Sequence, residues 1–284
     1  MLIALVAFVV IDYITGVMCA AADKKLSSEV GFKGICRKVL ISVLLSALLI
    51  LSGFMIYKEL SDWQKEKEDF AELAELVQIT TPEQPEPDAT ESLTDDEPEP
   101  AHKRDLVPLF AENSECIGWL CIPDTVVNYP VMHTPENPQK YLRRNFYGEY
   151  SQSGTYFLDG RCSMESDNLI IYGHNMRNDT MFGSLPKYME EAYRQAHSVI
   201  EFETETGCAE YTVFAVVTVK KQDDWYGFIN AADCEEFKKQ LEQIRSKALY
   251  CSDDMPEYGA QLLTLSTCYN SANDGRLLVI AMKL

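Results

Sequence analysis

The sequence predicts a mainly β fold, a barrel or a sandwich, standing behind N-terminal transmembrane segments. Three observations carry that expectation. Short apolar runs rich in Val, Ile, Tyr and Phe recur from about Arg104 to Leu284, punctuated by turn residues. Two long apolar blocks precede residue 58. A polar, acidic stretch separates the two kinds of segment, so the 46% hydrophobic content is unevenly spread. The 284 residues allow one domain of ordinary size, roughly 100–200 residues, plus appendages.

Residues 1–57 read as a membrane anchor. The first apolar block, 2–22 (LIALVAFVVIDYITGVMCAAA), is about long enough to cross a bilayer. It lacks the basic start of a cleaved secretory signal, and Asp12 within it needs a partner or an interfacial position. The second, Val39 to Tyr57, carries no charge. The loop between them holds Lys24, Lys25, Lys33, Arg37 and Lys38 against Asp23 and Glu29. Under the positive-inside rule this loop is cytoplasmic, so everything after Tyr57 lies outside the cell. DYITGVMCAA followed by KKLSSEVGFKGICRKV resembles the N-terminal part of a phage holin family. That fragment alone assigns no holin activity.

Residues 58–103 read as a stalk and a tether. KELSDWQKEKEDFAELAELV has helical spacing, with Leu60, Trp63, Phe70, Leu73 and Leu76 roughly along one side. TTPEQPEPDATESLTDDEPEPA follows, too poor in large apolar groups to repay the entropy of ordering. It reads as an extended, self-repelling linker. The formal charge of -19 argues against a nucleic-acid partner, which needs a concentrated Lys/Arg surface.

Residues 104–284 read as an extracellular domain. Its predicted strands are WLCIP, VVNYPV, GTYFLD, NLIIYGH, YTVFAVVTV, QLLTLSTC and RLLVIAMKL. Two insertions look helical. One is SLPKYMEEAYRQAH; the other, Ala232 to Leu249, carries Phe237, Leu241, Ile244 and Leu249 at helical spacing.

Nine cysteines is an odd count with no CxxC, and a chain with this much core needs no disulfide framework. The four histidines are scattered, which leaves no clustered ligand set for zinc. No metal or cofactor is expected, and most thiols read as buried apolar fillers.

Cys268 differs from that background. It ends the run QLLTLSTC and meets the polar segment YNSANDG, so a strand end can present its thiol on a rigid support. Arg276 opens the next run, and a hairpin would return its guanidinium beside the sulfur. There it would favour the thiolate or stabilise an oxyanion. His174 ends NLIIYGH and suits proton transfer near neutral pH. Together these residues supply a nucleophile, an acid/base and an oxyanion partner, the set needed for acyl transfer. His102 lies by the tether, His133 in a proline-rich turn and His197 at a helix end, so none has this placement.

TLSTC with a downstream DGR, and YGHNMRNDTMFGSL upstream, resemble the two signature blocks of class B sortases. The likeness runs from about Asn113 to Leu284 through GWLCIPDTVVNYPV and YLRRNFYGEYSQSGTYFLD. It implies an eight-stranded β-barrel with added helices, including a long helix before the cysteine strand that matches 232–249. It implies Cys268 as nucleophile, His174 as acid/base and Arg276 as the oxyanion or substrate-orienting group. Tyr172, Ser266 and Thr267 would line the sorting-signal pocket.

The implied reaction cleaves a surface protein's sorting signal after Thr through a thioacyl enzyme. The protein then passes to a peptidoglycan precursor amine at the outer face of the cell membrane. NPQTN-like or S/P-P-x-T-G-like signals are the candidates. Competing readings are a pilin-polymerising sortase, a plain cysteine endopeptidase and a non-catalytic holin-like or wall-binding membrane protein. The family usually has one span, so the two apolar blocks depart from its pattern.

Overall fold

The structure, a computed structural model, describes residues 29–77, 103–269 and 274–284. The expected first span (2–22), most of the holin-like start, the tether (80–101) and His102 lie outside the described residues. Two compact units divide at Lys65 and Glu66.

The helix α1 (Glu29–Leu76) is 48 residues long and continues through residues 57 and 58, so the expected second span and stalk share one helix. Its segment Arg37–Leu76 is long and apolar enough to cross a membrane. Leu48, Phe54 and Ile56 are 61%, 62% and 61% exposed, as suits apolar side chains that face lipid. The expected apolar stripe is covered only near its end. Leu73 and Val77 are buried, and Phe70 packs edge-on to Tyr129 at 4.5 Å. Leu76 lies off the i, i+3, i+7 row and is 41% exposed, while Leu60 and Trp63, also exposed, fall in the first unit. Glu66 accepts hydrogen bonds from Ser151 Oγ (2.6 Å), Gln152 N (2.8 Å) and Ser153 Oγ (2.5 Å), which fixes the loop before β3.

The second unit is a closed barrel. Its strands are β1 (Cys116–Cys121), β2 (Asn128–Met132), β3 (Tyr156–Leu158), β4 (Asn168–Tyr172), β5 (Val199–Thr204), β6 (Gly207–Lys220), β7 (Ala248–Cys251), β8 (Leu262–Cys268) and β9 (Gly275–Lys283). Eight of them run β5-β1-β2-β3-β4-β8-β9-β6, and the β5–β6 pairing closes the ring. The ninth, β7, pairs with β6 beyond the point where β5 leaves it. Two expectations missed strands. VIEFET of β5 alternates as a half-buried strand should, with Ile200 and Phe202 inward. Its Glu203 is fully buried because Arg104 and the Lys103 and Arg104 amides hold its carboxylate. β7 takes up residues expected to end a helix.

Apolar clusters hold the barrel from inside and outside. Leu120, Val131, Tyr156, Leu169, Phe202, Leu265 and Val279 share the larger core. On the outside, Leu262, Leu278 and Ile280 pack with Phe237, Leu241 and Ile244 of α4 (Cys234–Lys247). Each such side chain contributes roughly 1.5–3 kcal/mol when fully buried. Because β9 is covered on both faces, it reads as a continuous apolar run.

Asp233 caps α4 by accepting from the Glu235 and Glu236 amides. Glu236 accepts in return from Ala232 N at 2.8 Å. The helix stops where Ala248 turns extended, so Leu249 lies on β7 and is 57% exposed, outside the expected helical row. The other expected helix is split. A 3-10 run covers Phe182–Met189 around Pro186, and α3 (Glu191–Ala196) begins after the extended Glu190. A short α2 (Val107–Glu112) precedes β1 and buries Leu109.

Candidate active site

Strand direction assembles the site. β4 and β8 are parallel, with Tyr172 opposite Ser266, and the Gly173 amide donates to Ser266 O at 3.2 Å. Both strands therefore end at the same mouth of the barrel, which brings His174 level with Cys268. β8 and β9 are antiparallel, with Cys268 paired to Arg276. The Tyr269 amide donates to Gly275 O at 3.0 Å and closes this hairpin. Side chains alternate along strands, so residues 172 and 174, 266 and 268, and 276 share one face. That face, together with Thr267 from the intervening position on β8, lines a groove of about 430 Å3 that includes Tyr172, His174, Ser266, Thr267, Cys268 and Arg276. All six expected site residues are in it.

The histidine is held from two sides. Its Nε2 lies 2.8 Å from Leu142 O. A carbonyl only accepts, so Nε2 carries the hydrogen, and in the neutral ring Nδ1 keeps the lone pair. Burial holds the His174 pKa below the ordinary 6.5, and the nearby Arg143 charge acts the same way against the Leu142 hydrogen bond. The imidazole is therefore neutral near pH 7.

The loop after it is tight. Phe182 N donates to His174 O at 2.9 Å, and the buried Met181 sits at φ 53, a conformation that costs of order 1–3 kcal/mol. At Gly173 an added Cβ would meet Phe182 Cδ2 at 2.6 Å and Tyr156 Cδ1 at 2.7 Å, so only glycine lets the chain pass there. Asn175 Nδ2 donates to Cys268 O at 2.8 Å, and Thr267 Oγ1 donates to Gly173 O at 2.8 Å. These bonds tie the histidine segment to the cysteine strand.

The depressed His174 pKa has a kinetic consequence. If the neutral imidazole is the working base, kcat/KM falls as pH drops through the folded-state pKa. The acid limb should have its midpoint below 6.5. The unfolded chain holds the extra proton first, so the stability contributed by this histidine is also lost as pH falls below 6.5. A peptide-cleavage profile from pH 4.5 to 8 checks this, and a midpoint at or above 6.5 contradicts it.

Four of the described thiols are buried. Burial pushes Cys116 up to about 12, and Cys162 and Cys208 up to about 11. These are inert fillers. Cys268 is partly exposed in the groove. No group of three His, Cys, Asp or Glu among the described residues could hold a metal ion.

Ser266 and Thr267 line the groove differently from Tyr172. Both are 2% exposed, and the Ser266 hydroxyl bonds the Tyr226 hydroxyl at 2.8 Å. The sequence reading missed Tyr226, which comes from a 3-10 turn at Asp224–Gly227, as well as Leu142, Asp159 and Arg161. FLDGR does carry the signal that singled out His174, a polar chemical group just past a strand. Nothing in DDWYG marks Tyr226.

Comparison with known proteins gives the family. Residues 120–284, more than half of the chain, match the family described as Sortase domain, and residues 1–64 match a bacteriophage holin family. Sortase B of Listeria monocytogenes is 32% identical over 167 residues, which span 58% of this chain and 66% of that protein. Sortase B of Staphylococcus aureus is 25% identical over 252 residues, or 85% of this chain and 94% of the relative. The crystal structure of sortase B from B. anthracis superposes with a TM-score of 0.64 at 28% identity, covering 79% of this chain and 99% of that one. The chain belongs to the sortase family, and the relatives it resembles are of class B.

Proposed function

We propose that this class B sortase is a membrane-anchored cysteine transpeptidase that joins surface proteins to peptidoglycan. Cys268 is the nucleophile, His174 the acid/base and Arg276 the oxyanion partner. As the Cys268 sulfur attacks the threonine carbonyl of a sorting signal, the thiol proton passes to His174 Nδ1. The negative charge that develops on the carbonyl oxygen faces Arg276. When the C–N bond breaks, His174 returns the proton to the leaving amine and a thioacyl enzyme remains. An acceptor amine on a cell-wall precursor then attacks and gives its proton to His174. The C–S bond breaks, and His174 reprotonates the sulfur.

One observation supports this assignment above the rest: sulfur, imidazole and guanidinium share one groove through a parallel strand pair and a hairpin. Tyr172 would touch the peptide directly. Ser266 and Thr267 would act through the Tyr226 hydroxyl and the Gly173 carbonyl that they hold. The apolar segment of α1 is the anchor, and the basic residues before it, of which Lys33, Arg37 and Lys38 lie in the helix and not in the expected loop, favour the barrel on the outer side. The comparisons give no support to a pilin polymerase or a non-catalytic wall-binding protein.

The test is incubation of the full chain, in detergent micelles, with NPQTN-containing and SPPTG-containing peptides, with and without an added amine. Mass spectrometry should find a thioacyl adduct on Cys268 with at least one peptide. Added amine should convert hydrolysis product into transfer product. Absence of any adduct overturns the reading. Hydrolysis that amine never diverts makes the protein an endopeptidase.

A further inference from the structure

Behind Tyr172 lies an ion pair that no step of the proposed reaction uses. Asp159, just past β3, is 9% exposed. Its Oδ1 accepts from Arg161 Nε at 2.8 Å and from the Arg161 amide at 3.0 Å. Its Oδ2 accepts from Arg161 Nη2 and from the Tyr172 hydroxyl, both at 2.8 Å. The same Nη2 donates to the Tyr226 carbonyl at 2.7 Å. The Tyr226 hydroxyl in turn reaches Ser266. The Asp159–Arg161 pair thus joins the exit of β3, the end of β4 and the Asp224–Gly227 turn.

What this network holds is the aromatic wall of the groove. The Tyr172 and Tyr226 rings face each other at 6.1 Å with 18° between their planes, and Phe157 stacks behind Tyr172 at 5.3 Å. Tyr172 rests on a strand, but Tyr226 rides on a short turn whose buried neighbour Trp225 bonds Thr264. Without Arg161, the Tyr226 carbonyl loses its tie to the β3 exit. Exposed ion pairs usually contribute little. A bidentate fork onto a nearly buried carboxylate is different, because it fixes direction as well as charge.

We infer that Asp159 and Arg161 are positioning residues for the peptide substrate, setting the spacing of Tyr172 and Tyr226 that receives it. The inference rests on the sortase reading above and adds to it two residues that touch neither the scissile bond nor the sulfur. Their loss weakens peptide binding while leaving the reacting groups assembled.

The experiment compares wild type with Arg161→Ala, Arg161→Lys and Asp159→Asn as full chains in micelles. Two quantities are read: kcat and KM for whichever NPQTN or SPPTG peptide wild type cleaves better, and the rate of Cys268 alkylation by iodoacetamide. Arg161→Ala should raise KM about tenfold and keep kcat within about threefold. Arg161→Lys, with its charge but no fork, should fall between Arg161→Ala and wild type. Alkylation should stay within about twofold throughout.

Because the Arg161 side chain is 57% exposed, its removal leaves the core intact even if Asp159→Asn folds poorly. An unchanged KM in Arg161→Ala overturns the inference. So does a joint fall of kcat and alkylation rate, which would assign the pair to the sulfur or to general stability. A wild type that forms no adduct with either peptide removes the sortase reading and this inference with it.

Discussion

Cys268→Ala abolishes both cleavage and transfer, with a fall in kcat of roughly 10^5- to 10^6-fold expected from loss of a covalent nucleophile. The size of the effect follows from the route. On the proposed route no thioacyl enzyme forms without the sulfur, and the remaining groove would only bind peptide. Peptide binding should therefore survive, because Tyr172 and Tyr226 are untouched, and fluorescence anisotropy of a labelled peptide measures it. Cys234→Ala and Cys251→Ala give the contrast. Both thiols are partly exposed, but neither lies in the groove, so activity should stay within about twofold. Residual turnover by Cys268→Ala above about 1% of wild type would mean that another group attacks the peptide.

Arg276→Ala is the second large effect, a drop in kcat of about 10^2- to 10^3-fold if its guanidinium meets the oxyanion. Register pairing holds Arg276 opposite Cys268, and Nη1 donates to Gly275 O at 2.9 Å, which restricts where the guanidinium points. Two roles are separable. An oxyanion partner acts only when the carbonyl is attacked, so iodoacetamide alkylation of Cys268 should change by no more than about threefold. A group that instead favours the thiolate would slow alkylation and turnover together. Arg276→Lys sharpens the distinction. A lysine keeps the charge but loses the planar fork, so it should recover only part of kcat. Full activity in Arg276→Ala would remove this residue from the mechanism.

Much of the candidate site could be read in the sequence because it sits at strand ends. QLLTLSTC and NLIIYGH each place a chemical group where an apolar run meets a polar loop. β9 was readable as a run although both faces are buried. Other parts were obscured by identifiable physics. β5 carries Glu201 and Glu203 in its pattern, and contacts from Lys103 and Arg104, distant in sequence, help to hold a buried carboxylate there. Leu249 keeps the helical period by chance, since Ala248 has already turned extended. The Arg161–Asp159 tie was missed because its third partner, the Tyr226 carbonyl, belongs to the backbone, which no side-chain pattern reveals.

By itself, the sequence determined the inventory: an apolar anchor, a β-rich domain, and a thiol, an imidazole and a guanidinium each beside a strand. Period-two alternation and composition are local properties, so the chain states them directly. Only the tertiary structure decided that these groups meet. β4 and β8 run parallel although residues 173–261 lie between them, and no local signal specifies which distant strand becomes a neighbour. The direction of the histidine was settled in the same way, because the carbonyl that fixes its tautomer comes from Leu142, in a separate 3-10 turn at Lys140–Arg143.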